Sequence, residues 1–370
     1  MSYQVLARKW RPQTFSDVVG QQHVLIALVN ALSMGRIHHA YLFSGNSGIG
    51  KTTIARLLAK ALNCQTSITA NPCGQCDQCH DIVEGCCVDL IEIDAASRTK
   101  VEDIRDLLDN VQYTPSSGRF KIYLIDEVHM LSRHSFNVLL KTLEEPPSHV
   151  KFLLATTDPK KLPITILSRC LQFHLTILNP DQICGALHHI LCVEDISADT
   201  GALQLLACAA DGNMRDALSL TDQAIVMGKG QITIDSVKYM LGSLDEEQPI
   251  NLLEALVNAD GVRVMELVQK SVLCGSDLEM LLTEMLKLLH RIAVMQLLPS
   301  IMSNDFAVIA TRLQKLAGIL TPSDVQLYYQ MMLVGRKELP FAPNRRMGVE
   351  ITLLRILAFQ PKDIVTGLQL

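Results

Sequence analysis

An α/β fold on a parallel sheet, with a cysteine-rich insertion and two helical regions after it, is what the sequence predicts, and three observations predict it. The strand-like run AYLFS from Ala40 leads into GNSGIGKT at Gly45–Thr52 and then into TIARLLAKALN, whose apolar residues recur at helical spacing. Two more runs of apolar β-formers, KIYLIDE ending at Glu127 and VKFLLAT ending at Thr156, read as buried parallel strands. After Leu178 the pattern turns almost wholly helical, with broad apolar faces in stretches such as LLEALVNADGVRVMELVQK and DLEMLLTEMLKLLHRIAVMQLL.

The glycine-rich stretch has the spacing G-x-x-x-x-G-K-[ST] in the strand–loop–helix setting that the motif requires. Glycines let successive backbone N–H groups curl round a phosphate without Cβ clashes, and the helix N-terminus adds its positive dipole end. The expected nucleotide-binding set is therefore Gly45, Asn46, Ser47, Gly48, Ile49, Gly50, Lys51, Thr52 and Thr53. Lys51 is expected to reach the β and γ phosphates and Thr52 to place its hydroxyl on Mg²⁺. KIYLIDE then reads as the other half of the same site: Asp126 supports the magnesium, through water, and Glu127 is placed to polarise the attacking water. His129 reads as a polar residue opening a helix. The letters Asp-Glu-Val-His also occur in DExH-box helicases, but such a helicase needs a second motor core of similar size, and no further strand–helix series follows Leu178.

A chain of 370 residues is too long for one compact core and suggests two or three domains. Nearly half the residues are apolar and 19% are charged, which suits a well-packed protein and excludes a disordered one. The N-terminal MSYQVLARKWRP has no apolar run of signal-peptide length, and no later stretch approaches twenty uninterrupted apolar residues. A cytoplasmic protein without membrane contact is the expectation. A net charge of −5 gives no global attraction to phosphate backbones, so any contact with DNA must be local.

Six of the eleven cysteines fall between Cys64 and Cys87. Reduced cytosolic thiols at this density favour metal over disulfides. Cys64, Cys73, Cys76 and Cys79, with Pro72 and Gly74 favouring turns, suit tetrahedral Zn²⁺ in a closed structural site at about 64–79. His80 could substitute for one of them, and an iron–sulfur centre is the minor alternative. Cys86 and Cys87 have no evident partner and read as structural.

Four further motifs, in this order, resemble those of the AAA+ clamp-loader ATPases, most closely the gamma/tau family of bacterial DNA polymerase III subunits. KWRPQTFSDVVGQQHV at Lys9–Val24 is similar to that family's adenine-side segment, LLATTDP at Leu153–Pro159 to its sensor 1, ILSRC at Ile166–Cys170 to its Ser-Arg-Cys motif, and GNMRDAL at Gly212–Leu218 to its sensor 2. The resemblance spans essentially the whole chain. It implies an AAA+ nucleotide domain over residues 1–178 with the zinc module inserted after the phosphate-loop helix, a helical lid over 179–242 and a helical collar over 243–370. The collar would close a ring-like hetero-oligomer with other clamp-loader subunits. ATP binding would hold a sliding clamp open, primed DNA would complete the sites between subunits, and hydrolysis would release the clamp on DNA.

Residue by residue, Thr157 would orient the lytic water or sense the γ-phosphate, though a threonine after a strand also serves as a cap. Arg215 would reach the γ-phosphate from the lid, with a surface ion pair to Asp211 or Asp216 as the rival. No local carboxylate pairs with Arg169 in the sequence. The resemblance makes Arg169 a finger acting on a neighbouring subunit, worth roughly 10³ to 10⁵ in rate where an NTPase depends on one; by itself it is an ordinary exposed arginine. Arg98, Lys100 and Lys141 are candidate contacts to the DNA backbone, the first two near a helix N-terminus capped by Ser97, with a solvated surface the plain alternative. Tau-type chains continue into a further tail, so a short gamma-like or truncated form is expected. A non-hydrolysing scaffold subunit would be expected to lack Lys51, Thr52 or the Asp126–Glu127 pair, and a Holliday-junction motor to lack the four cysteines.

Overall fold

The structure, a computed structural model, describes residues 4–97, 110–241, 247–273, 277–297 and 307–359. They fall into two compact units, Met1–Val237 and Lys238–Leu370.

The first unit is built on five parallel strands, β1 (Ala40–Ser44), β2 (Leu90–Asp94), β3 (Lys121–Asp126), β4 (Val150–Thr156) and β5 (Leu171–His174), in the order β2-β3-β4-β1-β5. Central strands of such a sheet are buried on both faces, which explains their unbroken apolar runs. The period-2 alternation then sorts each run between two cores. Tyr41, Phe43, Ile122, Leu124 and Leu153 join one, with helices α1 (Gln22–Ser33) and α2 (Lys51–Asn63). Leu42, Tyr123, Ile125, Phe152 and Leu154 join the other, with Phe136, Leu139 and Leu143 of α4 (Arg133–Glu144). Strand β5 is short and mostly exposed at the sheet edge.

Between α2 and β2 lies the cysteine-bearing segment with helix α3 (Asp77–Glu84). Beyond β5 come α5 (Pro180–Val193), α6 (Thr200–Ala209) and α7 (Met214–Met227). Asn179 and Pro180 open α5 with a capping box and a proline in the first turn, and the Asn213 side chain caps α7 by accepting from Arg215 N and Asp216 N at 3.0 and 3.2 Å.

The second unit is helical among its described residues: α8 (Glu247–Val257), α9 (Gly261–Leu273), α10 (Leu278–Leu297), α11 (Ala307–Ile319), α12 (Pro322–Glu338) and α13 (Arg345–Ala358). Leu253, Leu256, Val268, Leu282, Leu289, Tyr328, Met332 and Leu353 converge in one core. No described helix is long and apolar enough to cross a membrane.

Candidate functional site

The glycine-rich loop joins β1 to α2 at the C-terminal edge of the sheet, where open α/β folds place their ligands. Its backbone needs glycine for two separate reasons. Gly45 has φ 142°, and a Cβ there would sit 2.6 Å from the Leu175 carbonyl oxygen. Gly48 has φ 69°, and a Cβ there would lie 1.7 Å from Asn213 Oδ1, the cap of α7. The glycine-rich loop thus abuts the helix that carries Arg215.

Lys51 is buried at the start of α2, and its Nζ donates to the carbonyls of Gly45 and Asn46 at 2.9 and 2.8 Å. Burial holds its pKa below the usual lysine value, opposed by the carboxylates of Glu127 and Asp126 and reinforced by Arg215. The Thr52 hydroxyl donates to Asp126 Oδ2 at 2.8 Å, and Asp126 Oδ1 accepts from Glu127 N at 3.0 Å. A hydroxyl and a carboxylate side by side at a phosphate loop are the hard oxygen ligands that Mg²⁺ takes, so these residues fit that ion.

Glu127 sits in the left-handed region with φ 48°, an uncommon conformation for a non-glycine residue and one that clusters at functional sites. Its Oε2 accepts from Thr157 N at 3.1 Å and from Thr157 Oγ1 at 2.9 Å, and His129 Nδ1 stands 3.3 Å away. His129 Nδ1 is also 3.0 Å from Thr156 Oγ1. A bare Nδ1 lone pair would face a carboxylate here, so the proton is assigned to Nδ1. His129 lies at the start of a short helix, the 3₁₀ turn Val128–Met130, and its side chain, 9% exposed, faces the carboxylate expected to activate water. Glu127, two residues before it, was the signal for this contact, but a 3₁₀ turn that folds residue 129 back over 127 leaves no mark in composition.

Lys51, Thr52, Asp126, Glu127 and Arg215 all line one cleft of about 700 Å³. Its other walls are the N-terminal segment, including Trp10, Val18 and Val19, and helices α5 and α7, including Ile190 and Leu218. The glycine-rich loop and the carboxylates offer oxygen and nitrogen groups suited to phosphate, and Trp10, Val18, Val19, Ile190 and Leu218 offer apolar surface suited to a flat base. Arg215 enters from α7, and its guanidinium has no carboxylate partner among the described residues, Asp211 and Asp216 included.

Arg169 does not line that cleft. It follows the one-turn helix Ile164–Leu167, and its Nη2 donates to Glu144 Oε1 at 2.8 Å while Nη1 donates to the Thr165 carbonyl at 2.9 Å. The sequence offered no local carboxylate, but the fold brings Glu144 from the end of α4. Lys141 is exposed on the same helix, and Arg98 and Lys100 lie outside the described residues.

The four cysteine sulfurs of Cys64, Cys73, Cys76 and Cys79 lie within 4.8 Å of one another. Tetrahedral zinc, with Zn–S bonds of about 2.3 Å, needs sulfurs about 3.8 Å apart, so the cluster fits that ion with little movement. Cys64 ends α2 and Cys76 caps α3, so the site would staple the two helices. Burial opposes ionisation of Cys64, but hydrogen bonds from Cys73 N and from Thr66 outweigh it and bring its pKa to about 6, while burial and the neighbouring thiols push Cys79 up. His80 is exposed and pairs with Glu84 at 3.6 Å, outside the four-sulfur group. Cys87 is buried as a structural thiol should be; Cys86 is exposed, because the turn after α3 at Gly85 points it to solvent.

The chain matches three family models: DNA polymerase III, delta subunit, over residues 20–179; the ATPase lid domain of the DNA polymerase III clamp loader subunit over 182–230; and DNA polymerase III subunits gamma and tau domain III over 232–368. It is 68% identical over 362 residues to DNA polymerase III subunit tau of Escherichia coli (strain K12), covering 98% of this chain and 56% of that one. It is 52% identical over 359 residues to DNA polymerase III subunit gamma of Buchnera aphidicola subsp. Acyrthosiphon pisum, covering 97% of this chain and 99% of the relative. Among solved structures, the RuvB Holliday-junction branch-migration motor of Thermotoga maritima aligns over 72% of this chain and 86% of that one, with TM-score 0.48 and 20% identity. The chain spans about half the length of the tau relatives that it matches.

Proposed function

The chain belongs to the family of DNA polymerase III gamma and tau subunits, and on that premise we propose that it is an ATP-hydrolysing AAA+ motor subunit of a clamp loader, placing a sliding clamp on primed DNA during replication. The observation that carries this reading is the pairing of Thr52 with Asp126 at 2.8 Å beneath the glycine-rich loop, in a cleft also lined by apolar side chains. In this reading the phosphate-loop amides and Lys51 bind the triphosphate, Thr52 and Asp126 hold Mg²⁺, and Arg215 meets the γ-phosphate from the lid. Magnesium held by Thr52 and Asp126 would supply charge neutralisation to the phosphates. Glu127 orients the attacking water once the donors on its Oε2 allow it to turn toward the cleft. Zinc on Cys64, Cys73, Cys76 and Cys79 supplies stability and has no open position for catalysis.

Arg169 lies outside its own cleft, in an exposed ion pair of the kind that is cheap to break. That suits a finger offered to a neighbouring subunit, so hydrolysis requires assembly with other loader subunits through residues 243–370. The division into a nucleotide domain over 1–178, a lid over 179–242 and a collar over 243–370 belongs to the same proposal, as do a cytoplasmic setting and backbone contacts to primed DNA through Lys141, Arg98 and Lys100.

The test is steady-state ATP hydrolysis by the complex reconstituted with partner subunits, with and without sliding clamp and primed DNA, for wild type and Arg169→Ala. Stimulation by clamp and primer that disappears in the variant is expected. Turnover indifferent to clamp, primer and the substitution would overturn the loader reading.

A further inference from the structure

The first stretch of the cleft's N-terminal wall, up to Trp10, is fastened to the helices that follow the sheet, whereas its continuation is held by α2 and the sheet core, with Lys60 Nζ donating to the Gln13 carbonyl at 3.2 Å and Phe15 buried among the strands. Leu6 N donates to Asp222 Oδ2 at 2.8 Å, and both residues are buried, with Asp222 on α7. Lys9 Nζ and Trp10 Nε1 donate to the two oxygens of Glu194, each at 2.7 Å. The Trp10 ring meets His189 edge-on with centroids 6.2 Å apart. Glu194 is the C-cap residue of α5 and His189 lies on that helix, so two adjacent helices hold one short segment.

The location of Glu194 is itself informative. A carboxylate at a helix C-terminus faces the negative end of the helix dipole, a local cost. Two donors from a segment nearly the whole domain away offset that cost, and the Lys9 bond foremost holds the Glu194 carboxyl below its usual pKa. The side chain of Glu194 is 17% exposed against 50% for Lys9, so the ion pair with Lys9 is largely screened and the sheltered indole bond matters more. The segment so held lines the cleft through Lys9, Trp10, Arg11 and Pro12, and continues into Val18 and Val19 of the same lining.

We infer that Glu194 is a positioning residue for the base of the nucleotide: through Trp10 it fixes the Lys9–Pro12 stretch of the wall to α5, so that this stretch and the arginine meeting the phosphates, Arg215, are carried by the same group of helices. Any movement of those helices relative to the phosphate loop then changes the grip on both ends of the nucleotide together. This inference rests on the ATPase reading above, and it adds that base recognition is coupled to the lid through one carboxylate.

The experiment compares wild type with Glu194→Leu and Trp10→Phe in the full chain, measuring binding of ATP, ADP and inorganic tripolyphosphate by calorimetry. Emission of Trp10, the chain's one tryptophan, is followed in parallel for wild type and Glu194→Leu. Both variants should weaken ATP and ADP by about tenfold, within the range of ordinary site-to-site coupling, and leave tripolyphosphate unchanged, because the phosphate loop is untouched. Glu194→Leu should also alter the Trp10 emission maximum, and circular dichroism melting serves as the folding control. ATP affinity within twofold of wild type in both variants overturns the inference, as does an equal weakening of ATP and tripolyphosphate. Wild-type chain that binds tripolyphosphate but gains nothing from the adenosine moiety overturns the base-side assignment and the ATPase reading together.

Discussion

Replacing Asp89 with alanine should loosen the sheet that carries Asp126 and Glu127. Asp89 directly precedes β2, is 2% exposed, and accepts from Ser116 N at 2.7 Å, Ser117 N at 2.9 Å and Gly118 N at 2.6 Å, with Ser117 Oγ at 3.3 Å. One carboxylate thus gathers the turn that feeds β3. Hydrogen bonds to charged groups are worth about 1.5–3 kcal/mol each, and three that share an acceptor are not additive; with water reaching the exposed serines, about 3 kcal/mol is expected. Asp89→Asn keeps the shape and a neutral acceptor and should cost about half as much. Burial works against the ionised form of Asp89, but the amides of Ser116, Ser117 and Gly118 and the Ser117 hydroxyl outweigh it and hold the carboxyl below its ordinary pKa. A folded-state pKa below the unfolded one means a contribution that is complete above the unfolded value and lost as pH falls through the folded value. The gap between wild type and Asp89→Asn should therefore be flat from about pH 5 upward and shrink below about pH 4. Guanidinium unfolding followed by Trp10 emission measures it, since that tryptophan lies in the first unit and reports on that unit alone. A cost below about 1 kcal/mol for Asp89→Ala, or a gap indifferent to acid, would refute the reasoning.

Gly48→Ala places a Cβ against Asn213 at a backbone angle that alanine resists, so nucleotide affinity should fall at least about tenfold in a calorimetric titration. Cys76→Ser should abolish a one-to-one zinc content measured by elemental analysis, and chelation of the wild type should release four titratable thiols and raise hydrogen exchange in α3. His129→Leu removes a donor on Glu127 and should lower kcat about tenfold in the reconstituted complex, with KM for ATP little changed. His129→Asn, whose amide nitrogen can stand near the Nδ1 position, should restore most of that loss. Equal activity of His129→Leu and wild type would remove His129 from the site.

What the sequence showed plainly was chemistry compressed into short spacing. The glycine-rich loop, the Asp126–Glu127 pair and the four cysteines are each a short pattern of residue types along the chain, and the apolar strands announce themselves because both faces are buried. The contacts that escaped are those between residues far apart in sequence. Glu144 reaches Arg169 only once α4 packs near the end of the helix Ile164–Leu167, and Glu194 reaches Trp10 only once α5 folds back over the N-terminal segment. Asp89 was invisible for the opposite reason: a single carboxylate before a strand carries no pattern, and its partners are backbone amides that have no residue type.

The register of the sheet ties this hidden packing to the chemistry. Ile125 pairs with Leu154 in the parallel ladder between β3 and β4, which brings Glu127 to the level of Thr156 and leaves Thr157 just beyond, where both its donors meet Oε2. A slip of one residue would displace Glu127 by about 3.3 Å along the strand and turn its side chain to the opposite face. What forbids the slip is apolar alternation: Tyr123 stacks on Phe152 with ring centroids 5.5 Å apart, and Ile125 and Leu154 fill the same core, while Leu124 and Leu153 fill the one across the sheet. Moving either strand by one position would exchange those sets and place aromatic rings where aliphatic side chains now fit. The positions of Glu127, Thr157 and His129 are therefore set by side chains that never touch the cleft, and substitutions at Tyr123 or Phe152 should damage hydrolysis through geometry while leaving every site residue in place in the sequence.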